Sequence, residues 1–202
     1  MEPFTVVRGP AVPLLLPDIN TDVIAPAHAG RGDLARSAFA PLRYLPDGSR
    51  NAAFALNQDR FRGAPVLLAG ANFGCGSSRE TAVWSLVALG FRCVIAPSFS
   101  DIFVGNCFQN GVLPIVLDEV TIAELGDEAV GGDPMVVDLT EARLTSPRGR
   151  VVPFVVDPAR RAQLLEGLDD LALALRRLDQ VRAYEASDRR RRPWVYEIAR
   201  AG

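Results

Sequence analysis

The sequence predicts an α/β fold: a mixed sheet with a parallel core and flanking helices. The prediction rests on three features. Residues 66–117 run strand, helix, strand, helix, strand, which is the order of parallel crossovers. Residues 134–156 read as strands joined by turns, with a hairpin across Ser146–Arg150. From about residue 158 the pattern becomes helical to the end, so residues 1–202 are read as one domain with a C-terminal helical segment over 158–202.

Taken in order, residues 4–8 and 12–16 ("FTVVR", "VPLLL") read as two short strands. "PDINTDVIAP" is rich in turn formers. Residues 27–64 are loop-heavy, and 27–50 offers few core residues, so that stretch is expected to be mobile without a partner. "PVLLAG" is a buried strand, "SRETAVWSLVALG" a helix that Gly90 ends as C′ residue, "FRCVIAP" a second strand, "SDIFVGNCFQNG" a short helix and "VLPIVL" a third strand. "DEVTIAELGDEA" is weakly helical. In the last third Leu171, Leu175, Leu178 and Val181 recur at helical spacing and are expected to face the core.

Charge and composition exclude several classes. Lys and Arg number 22 against 24 Asp and Glu, a formal net charge of -2, so no global basic field points to nucleic acid. The run Arg189–Arg192 reads as a solvated helix end. No apolar stretch approaches the roughly 18 residues that span a bilayer. "MEPFTVVRGP" lacks the basic and apolar regions of a signal peptide. Cys75, Cys93 and Cys107 are odd in number and widely spaced, so they predict no disulfide framework and no metal site within the chain; the expected location is the reducing cytoplasm. Cys93 and Cys107 read as core residues, Cys75 as structural or pocket-lining.

"NFGCGSSRETAVWSLVALG" carries the chemistry. Ser77 followed three residues later by Glu80 is a capping-box pattern, so Ser77 is expected to be the helix N-cap. The stretch holds more than a cap requires. Gly74 and Gly76 let the backbone approach a ligand, the helix start offers N–H groups to an anion, and Arg79 adds a fork suited to a carboxylate. The stretch lacks both G-x-G-x-x-G and the P-loop lysine, and no G-x-S-x-G elbow is present. Strand, glycine turn, helix start and arginine together describe a carboxylate or phosphate pocket at the end of a strand.

Together with "NTDVIAP" upstream and "GFRCVIAPSFSDIFVGNCFQNGVLPI" downstream, this stretch resembles the small subunit of 3-isopropylmalate dehydratase, which is similar to the swivelling fourth domain of aconitase. The resemblance runs from about Thr5 to Ala186. It implies a swivelling β/β/α domain and a two-subunit hydro-lyase. A large-subunit partner would carry the [4Fe-4S] cluster, with none bound by this chain alone, and one iron would act as Lewis acid on the hydroxyl of a 2-hydroxy dicarboxylic acid. By the same resemblance Ser77 is the base for the carbon-bound proton, and Ser78 and Arg79 hold the substrate carboxylate. Asp22 of N-T-D lines the site, and Arg31 or Arg36 grips a carboxylate. His28 is either a substrate contact or a solvent-facing loop residue. Thr81 follows R-E where the family has histidine, and "IAPAHAGRGDL" is smaller and more glycine-rich than its counterpart. Those departures keep open a hydro-lyase acting on a citramalate, dimethylmalate or homocitrate-type acid. A non-catalytic carboxylate-binding protein on the same fold is the reading from another class.

Overall fold

The computed structural model describes residues 1–26 and 33–197. The chain divides into two compact units, Met1–Gly167 and Leu168–Gly202.

The first unit is built on β1 (Val6–Leu14), β2 (Val66–Ala69), β3 (Cys93–Ala96), β4 (Leu113–Val116), β5 (Pro134–Asp138), β6 (Arg143–Thr145) and β7 (Val151–Pro153). They form one seven-stranded sheet in the order β4-β3-β2-β1-β5-β6-β7. The predicted parallel core is present: β1, β2, β3 and β4 pair in parallel. β5, β6 and β7 are antiparallel, and the predicted hairpin closes through Ser146 N–H to the Arg150 carbonyl at 2.8 Å.

The two strands expected at 4–8 and 12–16 are one. Gly9 and Pro10 look like a break, but the strand changes partner there. Val6–Pro10 pairs antiparallel with β5, and Ala11–Leu14 pairs parallel with β2. Pro10 lies opposite Pro134 at the end of the antiparallel ladder, where a missing N–H does least harm.

β2 and β3 are buried on both faces. On one face Val12, Leu67, Ala69, Val94 and Ala96 pack with α4 (Glu80–Ala88) and the start of α5 (Asp101–Gln109). On the other, Val66, Leu68, Ile95 and Ile115 pack with α6 (Glu119–Ala129), the antiparallel strands and Leu164 of α7 (Pro158–Glu166). Each Val, Leu or Ile side chain so withdrawn from water contributes about 1.5–3 kcal/mol. Gly90 does end α4: it sits at φ +97, and the Phe91 N–H reaches back to the Leu86 carbonyl at 3.0 Å. The ends of the unit meet, the Met1 amine donating to the Gly167 carbonyl at 3.1 Å.

Few core residues were expected over 27–50. Residues 33–50 contain α1-like single turns, α2 (Leu34–Ser37) and α3 (Ala40–Arg43), which follow α1 (Thr21–Ile24). Ala38 and Phe39 are fully buried, and buried Arg43 ties the segment down by donating to the Ala38 carbonyl at 3.2 Å and to Asn57 Oδ1 at 3.3 Å. Residues 33–50 therefore hold more core residues than their composition suggested.

The second unit comprises α8 (Asp170–Leu175), α9 (Leu178–Arg191) and α10 (Pro193–Glu197). The expectation that Leu171, Leu175 and Val181 face a core is not met: they are 68%, 56% and 45% exposed, and Leu178 is only partly buried. Helical spacing creates an apolar stripe but does not supply a surface to cover it. Among the described residues of this unit the one buried side chain is Asp188, which Arg192 grips through two hydrogen bonds of 2.8 Å.

Candidate functional site

The four parallel strands end at one edge of the sheet. Leu14 lies opposite Ala69 and Ala96 opposite Val116. The loops that leave these ends are joined by backbone hydrogen bonds. The Gly74 N–H donates to the Ile19 carbonyl at 2.8 Å, and the Thr21 N–H donates to the Cys75 carbonyl at 2.9 Å. On the other side Phe73 N–H donates to Ser98, and Ser100 N–H to Phe73. The glycine-cysteine-glycine stretch is thus a short ribbon between the β1–α1 and β3–α5 loops.

Glycine is required at 74. Its φ is +74, and a Cβ there would lie 2.2 Å from the Phe103 ring. That ring sits edge-on to Phe73 with centroids 5.5 Å apart, so the loop rests on an aromatic cluster.

The capping prediction is overturned. The N-cap of α4 is Arg79, with no side-chain hydrogen bond at the cap. Two other bonds win. Thr21 Oγ1 donates to the Ser77 carbonyl at 2.8 Å, which holds Ser77 outside the helix. Glu80 Oε1 accepts from Asn110 Nδ2 at 2.9 Å rather than closing a capping box. The Ser77 and Ser78 side chains are consequently exposed, and among the described residues neither hydroxyl has a hydrogen-bond partner.

Arg79 and Asp22 come together, as Nη1 and Oδ1 lie 2.5 Å apart in an ion pair that remains partly open to solvent. An exposed pair of this kind contributes about 0–1 kcal/mol to stability, so orienting the guanidinium is its larger effect. Asn20 caps α1 by accepting the Val23 N–H at 2.9 Å, which presents Thr21 and Asp22 to the serine loop.

A narrow crevice runs beside these groups, lined by Ser77, Ser78, Arg79, Thr21, Ile102 and Asn106. The last three are not among the sequence-predicted site residues. Thr21 could have been found, since it adjoins Asp22 in N-T-D. Ile102 and Asn106 were read only as part of a short helix; the crossover topology puts the start of α5 beside the start of α4. Arg36 is exposed on α2, which packs against α4. No bond connects it to the crevice among the described residues. His28 and Arg31 lie outside the described residues.

The thiols do not converge. Cys93 lies in the core on the α6 side of the sheet and Cys107 in the core on the α4 side, and burial pushes both well above the ordinary thiol range. Cys75 is half-buried in the loop. Among the described residues no group of three or more His, Cys, Asp or Glu side chains could hold a metal ion. This donor set does not fit an iron–sulfur cluster. No helix among the described residues is long and apolar enough to cross a membrane.

Residues 33–120 match the aconitase C-terminal domain family. The chain is 46% identical over 201 residues to the 3-isopropylmalate dehydratase small subunit of Rhodospirillum centenum, covering 96% of this chain and 99% of that protein. It is 44% identical over 207 residues to the protein of the same name from Rhodospirillum rubrum, covering all of both. A crystal structure of 3-isopropylmalate dehydratase from Methanocaldococcus jannaschii is similar at a TM-score of 0.63 and 26% identity, covering 88% of this chain and 99% of that one.

Proposed function

Because this chain belongs to the family of 3-isopropylmalate dehydratase small subunits, we propose that it acts as one subunit of that hydro-lyase, interconverting 2- and 3-isopropylmalate in leucine biosynthesis. The observation that carries the reading is the convergence of Ser77, Ser78, Arg79 and Asp22 at the uncapped N-terminus of a nine-residue helix.

The reaction removes water from a 2-hydroxy diacid and returns it with the hydroxyl moved by one carbon. The donor set here does not fit a cluster, so in this reading the large subunit brings the [4Fe-4S] cluster and its Lewis acidity. This chain binds a carboxylate and moves a proton. Arg79 offers a planar fork to one substrate carboxylate, while Asp22 holds that fork in place. The first-turn N–H groups of α4 have no side-chain cap and favour negative charge nearby.

Ser77 takes the carbon-bound proton and gives it back in the reverse step. A serine alkoxide is far too basic to persist in water. The helix end and the guanidinium both lower its cost, and both also stabilise the charge that develops on the carboxylate as the proton leaves. Thr21 fixes the Ser77 backbone, so the hydroxyl is positioned without being used as a cap. The exposed Ser78 hydroxyl is a further donor to the carboxylate. We place the chain in the reducing cytoplasm, in keeping with three free thiols.

The test is anaerobic reconstitution with the cluster-loaded large subunit from the same genome. The unsaturated intermediate is followed by ultraviolet absorbance with 3-isopropylmalate, citramalate, dimethylmalate and homocitrate. Turnover of isopropylmalate that needs both proteins is expected. Turnover of another diacid alone would keep the chemistry and reassign the substrate. A well-formed complex silent towards every acid would reject the reading.

A further inference from the structure

We propose that a basic cavity at the far end of α4 from the serine crevice is a second anion site, built for a small dianion: a phosphate group or a dicarboxylate. The proposal is independent of the reading of the crevice.

α4 has nine residues, so its two ends lie roughly 13 Å apart. Ser77 and Arg79 stand at its start. At its other end Ala88, Leu89 and Phe91 form one wall of a cavity of about 470 Å³. Ala35 of α2, Arg43 of α3 and Arg50 form another wall, and residues 56–64 close it. Among the described residues that line it, the bases are Arg43, Arg50 and Arg62, and the one carboxylate is Asp59. Asp59 is taken by an ion pair with Arg62. Arg43 and Arg50 are left without a counter-ion.

Arg43 is only 8% exposed. Its Nη1 donates to the Ala35 carbonyl at 2.5 Å and to the Ala38 carbonyl at 3.2 Å, and its Nε donates to Asn57 Oδ1 at 3.3 Å. All three acceptors are neutral. Among the described residues Nη2 makes no hydrogen bond, and no carboxylate lies within ion-pair distance of the guanidinium. Burial pushes the Arg43 pKa below its ordinary range, Arg50 adds to the shift, and Asp33 attracts the guanidinium only from farther away. A buried cation without a counter-ion is costly, and an anion in the cavity removes that cost.

The backbone holds the two arginines together. Tyr44 and Arg50 pair in an antiparallel bridge, and the Asn51 N–H donates to the Arg43 carbonyl at 2.9 Å. Asn57 Nδ2 locks this turn by donating to the Arg43 and Asn51 carbonyls at 2.7 and 2.9 Å. The Arg50 side chain is exposed and makes no hydrogen bond among the described residues, so it can close over a ligand that Arg43 holds from below.

Charge selects the ligand. The C-terminus of α4 contributes roughly half a negative charge, which leaves the two guanidinium groups with an excess of roughly one and a half positive charges. A monocarboxylate leaves part of that excess in place. A dianion cancels it and has oxygens enough for two planar forks. Because Arg43 also holds α2, an occupant braces residues 33–64 against the end of α4.

The experiment titrates the full chain with inorganic phosphate, malonate or acetate at constant ionic strength in chloride, by calorimetry and by the shift of the melting temperature. It compares wild type, Arg43→Lys, Arg50→Gln and Arg79→Gln, the last removing the same charge at the serine crevice. Saturable binding of phosphate or malonate is expected in wild type and in Arg79→Gln, and the one that binds more tightly assigns the source of the dianion. Arg50→Gln and Arg43→Lys should each bind it at least about tenfold more weakly, and wild type should bind acetate at least about tenfold more weakly than the dianion. Arg50 is exposed, so its variant decides the matter even if Arg43→Lys does not fold. Absence of saturable binding by wild type would overturn the site. Binding lost in Arg79→Gln and kept in Arg50→Gln would move the anion to the crevice and overturn it equally. Acetate bound as tightly as phosphate and malonate would overturn the choice of a dianion.

Discussion

Thr21 Oγ1 donates a 2.8 Å hydrogen bond to the Ser77 carbonyl, joining segments 56 residues apart. Thr21 is almost fully buried, whereas Ser77 is exposed. A buried hydroxyl thus sets the position of an exposed one. Thr21→Val keeps the shape and removes the donor, so the complex should lose about tenfold or more in kcat. Thr21→Ser should recover most of it. The stability cost, read by urea unfolding, should be about 1 kcal/mol. Equal kcat in all three proteins would reject a positioning role.

Ser77→Ala should abolish turnover while leaving association with the large subunit unchanged. The N-cap position of α4 is Arg79 and Ser77 makes no cap bond, so the substitution should shift stability by no more than about 0.5 kcal/mol. Unfolding curves and turnover on the same preparation separate the two effects. A residual rate near wild type would remove Ser77 from the proton transfer.

Arg79→Lys keeps the charge and discards the fork. The pair with Asp22 is partly exposed and worth little, so melting should barely change. Substrate turnover should fall by about 100-fold, because an ammonium cannot hold a carboxylate by two parallel bonds. Unaltered kcat/KM would show that the guanidinium does not carry the substrate.

Two glycines with similar backbones should respond differently to alanine. Gly90 sits at φ +97 with open space around it, so Gly90→Ala should cost about 1–2 kcal/mol of backbone strain. Gly74→Ala adds a collision with Phe103 and should cost about 1–3 kcal/mol more. Chemical unfolding of the pair measures the difference. Equal losses would mean that the aromatic cluster yields.

The second unit should respond to acid. Hydrogen bonds from Arg192 and from the Tyr196 hydroxyl hold the Asp188 carboxyl below its ordinary range. The folded unit therefore binds fewer protons than the unfolded one in that range. The stabilisation is fully present above about pH 4 and is lost as pH falls through the lowered native value. Trp194 emission should report a transition below pH 4 that Asp188→Asn abolishes. The same profile in both proteins would assign the effect to other carboxylates.

The parallel core was legible because β2, β3 and β4 are short runs of Val, Leu, Ile and Ala with few alternatives to burial. β1 was misread because partner exchange at Pro10 is a property of the sheet, not of the strand. The motifs singled out Ser77, Ser78, Arg79 and Asp22, and the structure brings Arg79 and Asp22 into contact. Thr21 and Asn106 were hidden because their importance comes from neighbours far along the chain. The capping box failed for a related reason: Thr21 holds the Ser77 backbone outside the helix, and Glu80 has a partner in Asn110. The stripe at Leu171, Leu175 and Val181 shows that amphipathic spacing reports a helix and says nothing of what covers it.

The hydrogen bond from the Met1 amine to the Gly167 carbonyl gives the first unit the connectivity of a nearly closed ring. A short linker from Gly167 back to Met1 would close it. New ends could then open at the exposed turn around Gly48, where the Leu45 N–H donates to the Ser49 carbonyl at 2.8 Å. Such a circular permutant would keep every strand pairing of the sheet and would free the helical segment after Gly167 from its covalent tie to that point of the first unit.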